Sequence, residues 1–227
     1  MLEPTDKINQ SYAELIEKIR MNWDDLGVEK LSSFHANIGE KVKAPCELLV
    51  VGRAVNGWWN EFDKKNGPEM KAEFEILNWM DSPEEWKKYG AHSPFAQFMW
   101  KLTQKFIKSH EDTFQLNAWT NLYKIAPPDR GNPWSGLMDL QFDECKRILY
   151  EEIDLLKPKI IVFTTGWKYW AEDFLGEMDL ERVENKEYLD AHGTYKDSRV
   201  FVTQHPQGKK QQVMLDEILE LTGEIIS

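Results

Sequence analysis

The segment Lys159-Ile160-Ile161-Val162-Phe163-Thr164-Thr165 constrains the fold more than any other. It is a short apolar run, rich in β-branched side chains, entered through Pro158 and closed by Gly166. A run of this length and composition reads as a strand rather than a helix, and its unbroken apolar character means burial on both faces. The run at 47–52 (ELLVVG) repeats the pattern and also ends on a glycine, Gly52. Residues 115–121 (QLNAWTN) and 199–204 (RVFVTQ) complete a set of four expected strands. Helical spacing falls between and around them. Ile8, Tyr12, Leu15, Ile16 and Ile19 share one face of 5–20, and Ser93-Pro94 starts a helix that carries Phe95, Phe98, Met99, Leu102 and Phe106. Further helices are expected over 141–156, from Gly166 onward, over 211–222 and, shorter, near 70–80. Strands separated by helices pair in parallel through right-handed crossovers, which gives an α/β fold with ligands bound beyond the carboxyl ends of the strands. By that rule 52–59, 120–130, 165–169 and 204–210 form the candidate site.

The 227 residues suit one core, so 1–227 is read as a single domain. The net charge of −11 opposes non-specific binding to nucleic acid, which needs lysine and arginine to displace phosphate counterions, but leaves room for a local basic face. No apolar run reaches the roughly 18–20 residues that span a bilayer, and the first ten residues lack the pattern of a signal peptide, so no membrane partner is expected. Two cysteines outside any CxxC pair suit a reducing compartment, with cytoplasm as the expectation. Oligomeric state is not legible. No histidine or cysteine spacing forms a metal site, and no nucleotide-binding glycine motif or nucleophile elbow occurs. Ten tryptophans fit either packing or a platform for flat rings.

Within the converging segments, Gly52-Arg53-Ala54-Val55-Asn56-Gly57-Trp58-Trp59 either lets backbone N–H groups approach a ligand or is a tight turn with a surface arginine. Asn121, at a strand end, either reads the edge of a base with its two-sided amide or caps a loop. Lys124 either holds a phosphate or is solvated. His205, between a strand and Pro206, is rigidly held and reads either as structural or as catalytic, and Gly208-Lys209-Lys210 places two positive charges beside it. Trp58, Trp59 and Phe62 are the candidate stacking rings.

Together these segments resemble the uracil-DNA glycosylase superfamily, most of all its iron–sulfur, thermophile-type branch. Thr120-Asn121-Leu122-Tyr123-Lys124 with Pro127-Pro128 and Arg130 is similar to that branch's TNVVKCRPP segment. Lys157-Pro158-Lys159-Ile160-Ile161-Val162 looks like its following strand, and Thr203-Gln204-His205-Pro206 like its HPS motif. The likeness covers about 47–210. It implies a three-layer α/β/α fold around a central four-stranded parallel sheet of order 2-1-3-4. It also implies a DNA partner, base excision in DNA repair, and hydrolysis of the N-glycosidic bond of an extruded base. Carried over, Asn121 reads the base, His205 stabilises the leaving anion, and Asn56 is the nearest residue to position water. Gly52, Arg53, Trp58, Lys124 and Lys209 bind the substrate. Arg53 stands where the branch has glutamate, and Gln207 where it has serine. The branch's cluster needs four cysteines, so no cofactor is expected. If this chain excises bases, Arg53, Lys124, Arg130, Lys209 and Lys210 should form a basic groove. A non-catalytic nucleobase- or nucleotide-binding protein and another small-molecule hydrolase are the other expectations.

Overall fold

The protein is described here by a computed structural model that covers residues 4–54, 60–66, 90–107, 113–129 and 131–223. Asn56, Trp58, Trp59, Arg130 and the helix expected near 70–80 lie outside the described residues. Length alone points to one core; the packing divides into two compact units interleaved along the chain. The first comprises Met1–Ala36, Arg53–Glu75 and Thr120–Leu155, and the second Asn37–Gly52, Ile76–Trp119 and Leu156–Ser227.

In the first unit, helix α1 (Pro4–Met21) buries the face that its spacing marks out, with Ile8, Tyr12, Leu15, Ile16 and Ile19 almost inaccessible. A single turn, α2 (Trp23–Leu26), follows and stops at Gly27, whose φ of 63° no β-carbon opposes. Strands β1 (Leu31–Ser33), β4 (Asn60–Phe62) and β6 (Ile125–Ala126) form a small antiparallel sheet in the order β4-β1-β6. Helix α4 (Ser135–Leu156) starts earlier than its apolar spacing alone indicates, with Met138 N–H already bonded to the Trp134 carbonyl. It buries Leu137, Cys145, Ile148, Leu149 and Ile153. Ion pairs Lys18–Glu144 (2.7 Å) and Arg147–Glu14 (2.6 Å) tie α1 to α4 at the rim, where each contributes little beside the apolar contact.

The second unit is built on a mixed sheet in the order β2-β5-β3-β7-β10-β9-β8. Its strands are β2 (Asn37–Ile38), β3 (Leu48–Ala54), β5 (Ala118–Tyr123), β7 (Ile160–Phe163), β8 (Asp179–Arg182), β9 (Leu189–Tyr195) and β10 (Ser198–Thr203). The last residues of β3 and β5 belong to the first unit. β3, β7 and β10 are parallel neighbours in register, Leu48 beside Ile160 and Ile160 beside Arg199. Leu48–Gly52 and Ile161–Phe163 are buried throughout, as the apolar runs require. Helices α3 (Pro94–Ile107) and α5 (Gln211–Thr222) supply Phe98, Met99, Leu102, Met214, Leu215, Ile218 and Leu219 to this core. Among the described residues no helix is long and apolar enough to cross a membrane.

Two expectations are corrected. The sheet has seven strands rather than four, because a hairpin, β8 and β9, adds antiparallel to β10, and β2 adds antiparallel to β5. No regular helix follows Gly166. Trp167–Ala171 is an irregular turn in which Lys168 is extended (ψ 135°) and Tyr169 is left-handed (φ 70°). A left-handed tyrosine costs about 1–2 kcal/mol relative to the ordinary regions.

Candidate functional site

The parallel register of β3, β7 and β10 brings Gly52, Thr164 and Thr203 to one edge of the second unit's sheet, their carboxyl ends. Thr164 donates its N–H (2.9 Å) and Oγ1 (3.2 Å) to the Val51 carbonyl, and Gly166 N–H donates to Thr203 O. β9 enters at the same edge, with Leu189 opposite Thr203. Gly52 is a buried residue inside β3, not the first residue of a turn. Its N–H and C=O are held in strand geometry, which corrects its reading as a loop glycine that approaches a ligand.

His205 follows β10 by two residues and is partly exposed. Its Nδ1 accepts the Gln207 N–H at 3.3 Å, so the neutral ring carries its proton on Nε2. Lys209 is exposed, with its ammonium 5.6 Å from the centroid of the Tyr188 ring, and Lys210 is exposed beside it.

The other candidates belong to the first unit. Arg53 is half-buried in β3, and that burial lowers its pKa. Phe62, a candidate stacking ring, is core: it is 3% exposed and meets Trp23 edge-on at 5.5 Å. Lys124 is also corrected. Its side chain is wholly buried, and its three N–H donors are taken by Thr120 Oγ1 (2.6 Å), Asn121 O (2.8 Å) and Glu152 Oε2 (2.8 Å). An ammonium so enclosed meets neither phosphate nor solvent. The expected basic groove therefore loses one member to a carboxylate.

Around Lys124 lies a buried polar cluster that was not foreseen. Tyr12 donates to Glu152 Oε1 at 2.6 Å, and Thr120 Oγ1 donates to Glu152 Oε2 at 2.8 Å. Burial first, then the Glu152 charge, hold the Tyr12 hydroxyl well above its ordinary pKa. The His35 ring stands edge-on to Tyr12 at 4.2 Å, and burial together with the Lys124 charge pulls its pKa down to about 4. The cluster unites residues more than a hundred positions apart, so spacing cannot reveal it. The one signal is Tyr12 itself, since a tyrosine in a buried stripe needs a partner for its hydroxyl.

The Cys145 thiol, pushed up to about 12 mainly by burial, donates to Gln141 Oε1. Gln141 in turn brackets Ile125, accepting its N–H and donating to its carbonyl at 2.9 Å each.

Asn121 is 3% exposed and lies inside β5, two residues before its end rather than at it, and its side chain stands apart from this saturated network. Its main-chain carbonyl is clamped by Lys124, yet its side-chain Nδ2 has no hydrogen-bond acceptor. Ser33 Oγ, His35 Nε2 and Glu151 Oε2 are the other buried side-chain atoms so placed among the described residues. An unmet buried amide donor costs about 1–3 kcal/mol. No model of a known protein family matches this sequence, and no curated protein matches it significantly.

Proposed function

We propose that this chain is a divergent uracil-DNA glycosylase-like protein that hydrolyses the N-glycosidic bond of a damaged base in DNA. In this reading Asn121 recognises the base and His205 stabilises the departing base anion. The unpartnered, buried Asn121 Nδ2 carries the reading, since a base carbonyl is the acceptor it lacks. Two further observations support it. The Gln207 N–H on His205 Nδ1 sets the neutral ring's proton on Nε2, the tautomer that suits stabilisation of a developing oxyanion. Within the seven-stranded mixed sheet, β5, β3, β7 and β10 are consecutive neighbours, an arrangement the resemblance can accommodate. Asn56 is assigned the positioning of water, and Trp58 and Lys209 contact with the substrate.

Arg53 favours a second reading, a non-catalytic protein that binds a nucleobase or nucleotide. A guanidinium in the place of a carboxylate cannot accept a proton from water. The test is strand scission after alkali on single- and double-stranded oligonucleotides carrying uracil, hypoxanthine or another lesion, at enzyme excess. Scission at the lesion supports hydrolysis. Intact strands on every substrate sink it and leave the binding protein.

A further inference from the structure

Three aromatic rings at the carboxyl edge of the second unit's sheet each carry a cation. The Arg182 guanidinium carbon is 5.0 Å from the Trp167 centroid, Lys168 Nζ is 5.0 Å from that of Tyr169, and Lys209 Nζ is 5.6 Å from that of Tyr188. Topology brings them together. Trp167 and Tyr169 leave β7 through Gly166, whose N–H bonds Thr203 O at the end of β10. Tyr188 immediately precedes β9, and its carbonyl accepts the Gln204 N–H. Arg182 closes β8 opposite Ala191. The base of the turn is fixed, since Trp167 N–H donates to Asp190 Oδ2 (2.9 Å) and Arg182 Nε to Asp190 O (3.0 Å). Tyr169 projects from this fixed base, 78% exposed, on a left-handed backbone that a bulky side chain adopts only under constraint.

We infer that this edge binds a single strand of nucleic acid. Tyr169 stacks on an unpaired base, while Lys168, Arg182, Lys209 and Lys210 meet backbone phosphates. A ring face flanked by cations matches a chain that alternates anions with flat rings. An acidic peptide matches the charges alone, and a duplex keeps its base faces inside the stack. With a net charge of −11 the attraction is confined to this edge, although Glu181, Glu184 and Glu187 are exposed beside Arg182 and Tyr188. The inference deepens the base-excision reading by naming the form of the DNA. Because its test is one of affinity, the two can fail separately.

Fluorescence anisotropy of the full chain with a labelled single-stranded oligothymidylate, alone and annealed to its complement, tests it. The single strand is expected to bind more tightly, with affinity falling as salt to the power of about −2 to −3 for three or four phosphates. Tyr169→Asn, which takes the left-handed backbone more readily, is expected to melt no lower than wild type and to bind at least about fivefold more weakly. Wild-type affinity in Tyr169→Asn, preference for the duplex, or no binding by wild type overturns the inference. Binding that depends on Tyr169 without base release leaves it standing and removes catalysis. Base release with affinity unchanged in Tyr169→Asn does the reverse.

Discussion

Lys124 and Glu152 are fully buried and 2.8 Å apart, so the effect of losing either depends on what remains beside the other. Lys124→Met strands a carboxylate in the core and is expected to destabilise the fold by about 3–5 kcal/mol. Adding Glu152→Leu is expected to recover part of that loss, which a double-mutant cycle by urea denaturation measures. His35 gives a second signature at this scale. The unfolded chain takes up its proton near pH 6.5, whereas the folded one resists until about 4. Stability is thus intact above 6.5 and falls as pH drops toward 4, by about 3 kcal/mol in all. His35→Leu is expected to flatten that part of the pH profile; an unchanged slope contradicts the assignment. None of this was legible beforehand. Lys124 sits three residues after Asn121 and near a proline turn, where a solvated or phosphate-binding lysine is the natural expectation. Only the tertiary fold brings Glu152 and Tyr12 to it.

At the scale of elements, what was legible is what burial imposes on sequence. The buried faces of α1, α3, α4 and α5 fall on their apolar stripes, and β3, β7 and β10 on apolar runs that end near glycine or proline. β8 and β9 were missed because their sequences, DLER and LDAHGTY, are polar. Only Leu189 and Ala191 are buried in β9, and no residue of β8 is. A two-residue alternation so short carries almost no signal. Two residues hold this edge. A β-carbon on Gly193 lies 2.0 Å from the Asp179 carbonyl, so Gly193→Ala is expected to push β8 off β9. The check is faster hydrogen exchange of β8 amides, with an overall loss of about 1–3 kcal/mol. Glu217, buried on α5, accepts the N–H groups of Glu187, Tyr188 and Leu189 at 2.6, 3.0 and 2.9 Å. Glu217→Ala leaves three donors unmet and is expected to cost at least about 2 kcal/mol by thermal or urea denaturation.

For the whole molecule, the α/β architecture was legible and its extent was not. Apolar runs reveal strands buried on both faces, but say nothing of edge strands or of a second small sheet made from two- and three-residue pieces. The candidate residues fared by type. His205 lies just past the end of β10, where the strand rule puts it, because a run's last apolar residue fixes where the polar ones begin, whereas Asn121 lies inside β5. Lys124 and Gly52 followed the same rule and are interior, because it gives position along the chain and not the direction of a side chain. The central claim is that Asn121 and His205 serve one reaction. Single-turnover base release from the best lesion-bearing oligonucleotide, compared among wild type, Asn121→Ala and His205→Ala, tests it most directly. The account predicts that His205→Ala slows release about 10²–10³-fold and that Asn121→Ala also abolishes or strongly weakens it. Release by wild type that either variant retains at full rate contradicts it.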